Sequence, residues 1–104
     1  IRAFPSGRTV VQMGGWFKKE IVSLSDFKGL KYRIPGLAAK VINRMGPTAV
    51  NTPGGEIMPA RQSGVIDAAE WIGPWNEELT FGFHKVAKHY YGPGFQEGGG
   101  SAEY

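Results

Sequence analysis

The chain has 104 residues, 41% hydrophobic and 20% charged, with 12 lysines and arginines against 9 acidic residues and a net charge of +3. Length and composition are those of one ordinary globular domain, which excludes a disordered chain. The cations are scattered and never form a run, which argues against a nucleic-acid surface, and the absence of cysteine excludes disulfides. No apolar segment approaches the roughly 20 residues that cross a bilayer. No secretory signal is visible, but the chain opens on Ile1 rather than Met, as a processed or excised product would, so its location cannot be read this way.

Sixteen glycines and seven prolines punctuate the chain instead of gathering into one linker, which fits short elements joined by tight loops. Residues 1–13 read as an extended piece, a Pro5-Ser6-Gly7 turn and a β-branched strand at Thr9-Val10-Val11. Gln12 ends that strand before Gly14-Gly15. Trp16 to Ile21 is a short amphipathic stretch. Ser23 to Gly29 has a serine cap, an early Asp26 and a closing glycine, and predicts little more than one helical turn. Leu30–Ile34 predicts a strand ended by Pro35-Gly36. Leu37, Ala38, Val41, Ile42 and Met45 then follow helical spacing up to Gly46-Pro47. A third strand is expected at 48–51, and a short helix over 56–63 tolerates Pro59 in its first turn. A strand over 65–71 and a longer helix from about Asn76 to His89 come next, the helix striped by Leu79, Phe83, Val86 and Ala87. Residues 90–94 read as a turn, and a glycine-rich tail leads to a last strand near Ala102. Strands alternate with helices from 30 to 90 over short links, so the class is α/β with parallel pairing.

The stretch GVIDAAEWIGPW, Gly64 to Trp75, ends a predicted strand on Glu70 and Trp71 just before a Gly-Pro break. Arg33 occupies a matching place in LKYRIPG. Open α/β sheets bind ligands at the carboxyl edge of the strands, so an arginine and a Glu-Trp pair at two strand mouths point to a small-anion site. Two readings of Arg33 stand. Period-2 alternation turns it to solvent, or it is buried and its forked donors need an acceptor such as a carboxylate. Glu70 is open in the same way, between exposure, pairing with Arg33 and cation binding. Gln12, Glu70 and the Trp71 carbonyl are the oxygen types that hard cations prefer. Trp71 and Trp75 serve equally as pocket walls or as core.

The two histidines, His84 and His89, fall five apart on the predicted last helix, on different faces, which suits joint metal binding poorly. No serine sits in a nucleophile elbow, and neither Gly54-Gly55 nor Gly98-Gly99-Gly100 has the ending of a phosphate loop. An enzyme is the weakest reading.

The runs VQMGGWFKKEI, DFKGLKYRIPG, TPGGEIMPARQSG and IDAAEWIGP carry a dense likeness over essentially the whole chain. It resembles the solute-binding subunit of TRAP (tripartite ATP-independent periplasmic) transporters, of the 2-oxo-acid and lactate, or monocarboxylate, type. The resemblance implies a single α/β lobe of a type II-like periplasmic binding protein over residues 1–104, with a short, mostly parallel sheet flanked by helices. It also implies that the chain corresponds to the second lobe, without the first lobe and the C-terminal helices. Arg33 would then grip the substrate carboxylate. Gln12, Glu70 and Trp71 would belong to the substrate and metal site, the metal being Na+ or Ca2+. Asn51 joins the substrate-binding candidates through its strand-end position alone. A periplasmic location and TRAP membrane subunits as partners follow from the resemblance only.

Family proteins close two lobes on the ligand, so one lobe is expected to bind weakly, in the millimolar range or about −4 kcal/mol. Exposed interlobe surface and sheet edges predict a homo-oligomer. The leading expectation is therefore weakened binding of a small carboxylate for TRAP-type transport. The alternative from another class is an isolated lobe that self-associates as a structural module and binds no solute.

Overall fold

The structure is a computed structural model that describes residues 2, 4, 7–94 and 100–103. Its strands are β1 (Gly7–Val11), β2 (Gly15–Phe17), β3 (Lys31–Arg33), β4 (Thr48–Val50), β5 (Ala68–Ala69), β6 (His89–Tyr91) and β7 (Gly100–Glu103). The helices are α1 (Gly36–Met45), α2 (Ile57–Gln62) and α3 (Pro74–Thr80), joined by 3-10 turns at Leu24–Phe27, Gly54–Glu56 and Phe83–Lys85. β1 and β7 form a separate antiparallel ribbon. The Pro5-Ser6 part of the expected first turn lies outside the described residues.

The main sheet runs β4-β3-β5-β2-β6. β3 pairs in parallel with both β4 and β5, as alternating strands and helices require. β2 pairs antiparallel with β5 and β6, so the sheet is mixed rather than mostly parallel. Alternation along the chain governs only elements joined by a crossover. β2 and β6 enter the sheet from opposite ends of the chain, and nothing local sets their direction.

Residues of opposite parity face opposite layers. Phe17, Tyr32, Ile34 and Ala68 pack with Phe27, Leu30 and the Ala38 and Ile42 side of α1. Ala69 packs on the other face with Ile57, Ile66 and Phe83, joined by the partly buried Trp16, Val50, Trp71 and Phe81. Helical segments thus cover both faces of the sheet.

Three further expectations are corrected. The strand over 65–71 is regular only at Ala68–Ala69, although Ile66 is fully buried. The helix over 76–89 does not exist as one piece. α3 begins at Pro74 with Gly73 as its cap and ends before Gly82, whose φ of 63° closes it in the left-handed region that glycine enters freely. The Glu78 carboxylate then accepts the His84 N–H at 3.0 Å and starts the next 3-10 turn. Tyr90 and Tyr91, expected in a turn, lie in β6, and the Tyr91 hydroxyl meets the Ile21 N–H at 2.6 Å. The two histidines consequently belong to different elements, His84 to an exposed turn beside Glu78 and His89 to a strand opposite Phe17.

Candidate functional site

Alternation places Tyr32 in the α1 layer and turns Arg33 to the opposite face. That face is covered, so Arg33 is only 5% exposed. Its Nε donates to the Thr52 carbonyl at 2.9 Å and its Nη1 to the Glu70 carbonyl at 2.7 Å. Its guanidinium lies 4.8 Å from the centre of the Trp71 ring, within cation–π range. Burial lowers the Arg33 pKa, and the Glu70 charge opposes that shift. The Glu70 N–H in turn donates to the Arg33 carbonyl at 3.1 Å, so the two strand ends are tied in both directions.

Trp71 is itself held in place. Its ring makes an edge contact with Phe81 at 5.3 Å, and Phe81 stacks on Phe83 at 5.1 Å. On another side it presses on Gly54, where an added Cβ would stand 2.7 Å from the indole. The glycine of the TPGGE loop is therefore needed for close approach.

Gln12 brings the ends of two strands together. An amide's oxygen and nitrogen are assigned from their neighbours, and the neighbours here are all acceptors. With its nitrogen inward, Gln12 donates to Glu70 Oε1 at 2.5 Å, to the Trp71 carbonyl at 2.9 Å and to the Ile72 carbonyl at 3.2 Å. With its oxygen inward, four oxygens converge, and only a cation would hold them together. Na+ and Ca2+ take carboxylate, amide and carbonyl oxygens of this kind, so the donor set fits a hard cation. Among the described residues no three His, Cys, Asp or Glu side chains cluster, and a cation here would rest mainly on neutral oxygens beside one carboxylate.

Four of the five sequence candidates, Gln12, Arg33, Glu70 and Trp71, thus meet at the carboxyl edge of β3 and β5. Glu70 is buried at 4% exposure, which removes the reading of it as a solvated strand end. Asn51 follows β4 at the same edge and is exposed. Trp75 is 76% exposed and walls no part of this cluster.

Three contributors carried no sequence signal. Thr52 acts through its backbone carbonyl, which no side-chain pattern reveals. The Tyr32 hydroxyl donates to the Gly14 carbonyl and is fully buried, with burial first and then Glu70 and Glu77 pushing its pKa up. Glu77, also fully buried, accepts from Trp16 Nε1 at 2.8 Å and from the Trp71 N–H at 3.1 Å. It stands in the first turn of α3, where a glutamate is ordinary at the surface, and no local feature marks it as buried.

The family described as bacterial extracellular solute-binding protein, family 7 (DctP), matches residues 3–99. The chain belongs to this family. Its members are solute-binding proteins of transport, not enzymes. Over 96 residues this family 7 chain is 56% identical to the monocarboxylate 2-oxoacid-binding periplasmic protein of Nostoc sp. (strain PCC 7120), covering 92% of this chain and 26% of that protein. A TRAP periplasmic solute-binding protein from Pseudoalteromonas atlantica T6c, solved with sodium and pyruvate, is 48% identical with a TM-score of 0.84, over 95% of this chain and 30% of the other. Another from Colwellia psychrerythraea, solved with calcium and pyruvate, is also 48% identical, with a TM-score of 0.85 over 95% of this chain and 29% of the other. The α/β lobe fold is therefore that of TRAP solute-binding proteins, and the chain spans only 26% to 30% of these relatives' lengths.

Proposed function

We propose that this chain is the second lobe of a periplasmic TRAP receptor and that its sheet edge binds a small monocarboxylate of the 2-oxo-acid or lactate class. The observation that carries this reading is the convergence of the Arg33 guanidinium, resting on Trp71, with the Gln12, Glu70, Trp71 and Ile72 oxygens. Arg33 spends Nε and Nη1 on backbone carbonyls, which orients the guanidinium and leaves other N–H bonds of its fork for a carboxylate. Gln12 Oε1, Glu70 and the Trp71 carbonyl would hold Na+ or Ca2+, the ions bound with pyruvate in the two crystal structures above. A cation there supplies positive charge for the carboxylate and keto oxygens of the solute. Asn51, exposed at the end of β4, is assigned to the substrate side. In a full-length receptor the lobe would deliver solute to TRAP membrane subunits.

One lobe encloses a ligand incompletely, so the expected affinity is in the millimolar range, about −4 kcal/mol. The test is a calorimetric or NMR titration with pyruvate, a longer 2-oxo acid and lactate, each with and without Na+ and Ca2+. Saturable binding that disappears in Arg33→Ala supports the reading, and no response at high ligand concentration refutes it.

A second reading, self-association without solute binding, is favoured by one observation. Leu37 on α1 and Trp75 and Leu79 on α3 are large apolar side chains at 77%, 76% and 69% exposure. Surface of this kind promotes association. A dimer or larger species by size-exclusion with light scattering supports it, and a monomer at all concentrations removes it.

A further inference from the structure

Glu77 is a buried carboxylate placed one peptide unit behind the oxygen cluster, and direct binding of a carboxylate solute gives it no task. Its two oxygens are divided between different partners. Oε2 takes the Trp16 indole N–H at 2.8 Å, and Oε1 takes the Trp71 backbone N–H at 3.1 Å, with the Ile72 N–H also turned toward the carboxylate. The amides of Trp71 and Ile72 therefore face Glu77, while their carbonyls face the Gln12 side chain. The Ile72 carbonyl is further tied by the Met13 N–H at 3.0 Å. Each N–H shares its peptide plane with the preceding carbonyl, so the grip on the Trp71 N–H aims the Glu70 carbonyl that Arg33 uses, and the grip on the Ile72 N–H aims the Trp71 carbonyl of the candidate cation site.

Charge is a separate effect. Glu77 is fully buried and takes N–H donors but no cationic side chain in these contacts, so water screens its field poorly. Glu77 Oε1 holds the N–H of Trp71, the residue whose carbonyl belongs to the cluster, so its charge lies close to that cluster, and Glu70 and Glu77 both act on the Tyr32 hydroxyl. The cluster of oxygens thus lies in the potential of two carboxylates although only Glu70 belongs to it.

We infer that Glu77 is a positioning residue that aims the Trp71 carbonyl and supplies a second negative charge, biasing the site toward a divalent over a monovalent cation. The inference rests on the proposed cation and carboxylate site. Coulomb energy scales with ion charge, so removing one fixed charge lowers the affinity for Ca2+ by the square of the factor lost for Na+. A misaimed carbonyl is a dipole whose pull on an ion scales with ion charge in the same way, so the two effects are separated by a variant that keeps the charge and changes the aim.

The experiment titrates the wild-type chain, Glu77→Gln and Glu77→Asp with CaCl2 by calorimetry and with NaCl by sodium NMR line broadening, at constant ionic strength set with choline chloride. Glu77→Gln is expected to lose about tenfold in Ca2+ affinity and about threefold in Na+ affinity, in line with the charge scaling. Glu77→Asp keeps the charge but shortens the arm that grips the amides, so it should lose clearly less Ca2+ affinity than Glu77→Gln, and that smaller loss reads the aiming by itself should Glu77→Gln fail to fold. Equal losses for both ions in Glu77→Gln, a Ca2+ loss in Glu77→Asp as large as in Glu77→Gln, or no loss in Glu77→Asp would overturn the inference while leaving the site itself standing. A wild-type chain that binds neither ion would remove the site and this inference together.

Discussion

Among the described residues two arginines are buried, and their surroundings differ sharply. Arg33, at the sheet edge, satisfies two of its nitrogens with carbonyls at 2.9 and 2.7 Å and rests on an indole. Arg61, in α2, is 1% exposed and donates from Nη1 to the Trp16 carbonyl at 3.2 Å, while its Nε and Nη2 have no partner among the described residues. Burial pulls the Arg61 pKa down to about 10, against the pull of nearby Asp67. An unpaired buried polar group costs about 1–3 kcal/mol, and more when charged. Burial of an arginine is therefore not in itself a mark of function. What distinguishes Arg33 is that its carbonyl bonds orient it at an edge where the Gln12 side chain meets the oxygens of residues 70–72.

The largest test of this contrast is Arg33→Lys. An ammonium keeps the charge but cannot reproduce two carbonyl bonds and a stacked plane, so carboxylate affinity should fall by about 2 kcal/mol, nearly as far as in Arg33→Ala. Retention of wild-type pyruvate binding in the lysine variant would mean that charge alone is read.

Arg61→Met should act in the opposite direction. Replacing a poorly paired buried ion with an apolar side chain of similar length is expected to stabilise the chain by about 2 kcal/mol in urea denaturation. A lower urea midpoint would show that Arg61 is better compensated than its contacts indicate, and the contrast would fail. The pH dependence sharpens it. The folded-state pKa of about 10 lies well below arginine's ordinary value, so the unfolded chain binds more protons between them and stability rises with pH across that window. Below about pH 10 the penalty is fully present. The advantage of Arg61→Met over wild type should therefore shrink as pH rises from about 10 toward 12, with the groups common to both chains cancelling.

The smallest effect concerns the wall behind Arg33. In Gly54→Ala the new Cβ would stand 2.7 and 2.9 Å from the rigid Trp71 ring, which must shift. A cost of about 1 kcal/mol is expected, with an altered near-ultraviolet circular dichroism spectrum and weaker pyruvate binding. An unchanged spectrum and unchanged binding would show that the indole has room to move and is not part of a fixed wall.

Glycine and proline breaks, read with periodicity, located β3, α1, β4 and α2 to within a few residues and put Arg33 and Glu70-Trp71 at strand mouths, because these signals are local. The same reasoning failed over 76–89. The apolar stripe continued through Gly82, but the glycine took a left-handed conformation and divided the segment into a helix, a turn and a strand. The antiparallel entry of β2 was equally unreadable, since its partners β5 and β6 lie some fifty residues or more along the chain.

By itself, then, the sequence determined the family and the α/β class and brought Arg33, Glu70 and Trp71 forward as candidates, since motifs and alternation are written along the chain. Alternation told that Tyr32 and Arg33 face opposite ways but not which faces are covered. Only the tertiary structure decided that Arg33 is buried against Trp71, that the Gln12 amide meets the oxygens of residues 70–72, and that Glu77 accepts from Trp16 across 61 positions of sequence. Each of these depends on packing partners distant in the chain, and a buried carboxylate differs from a solvated one only through what surrounds it.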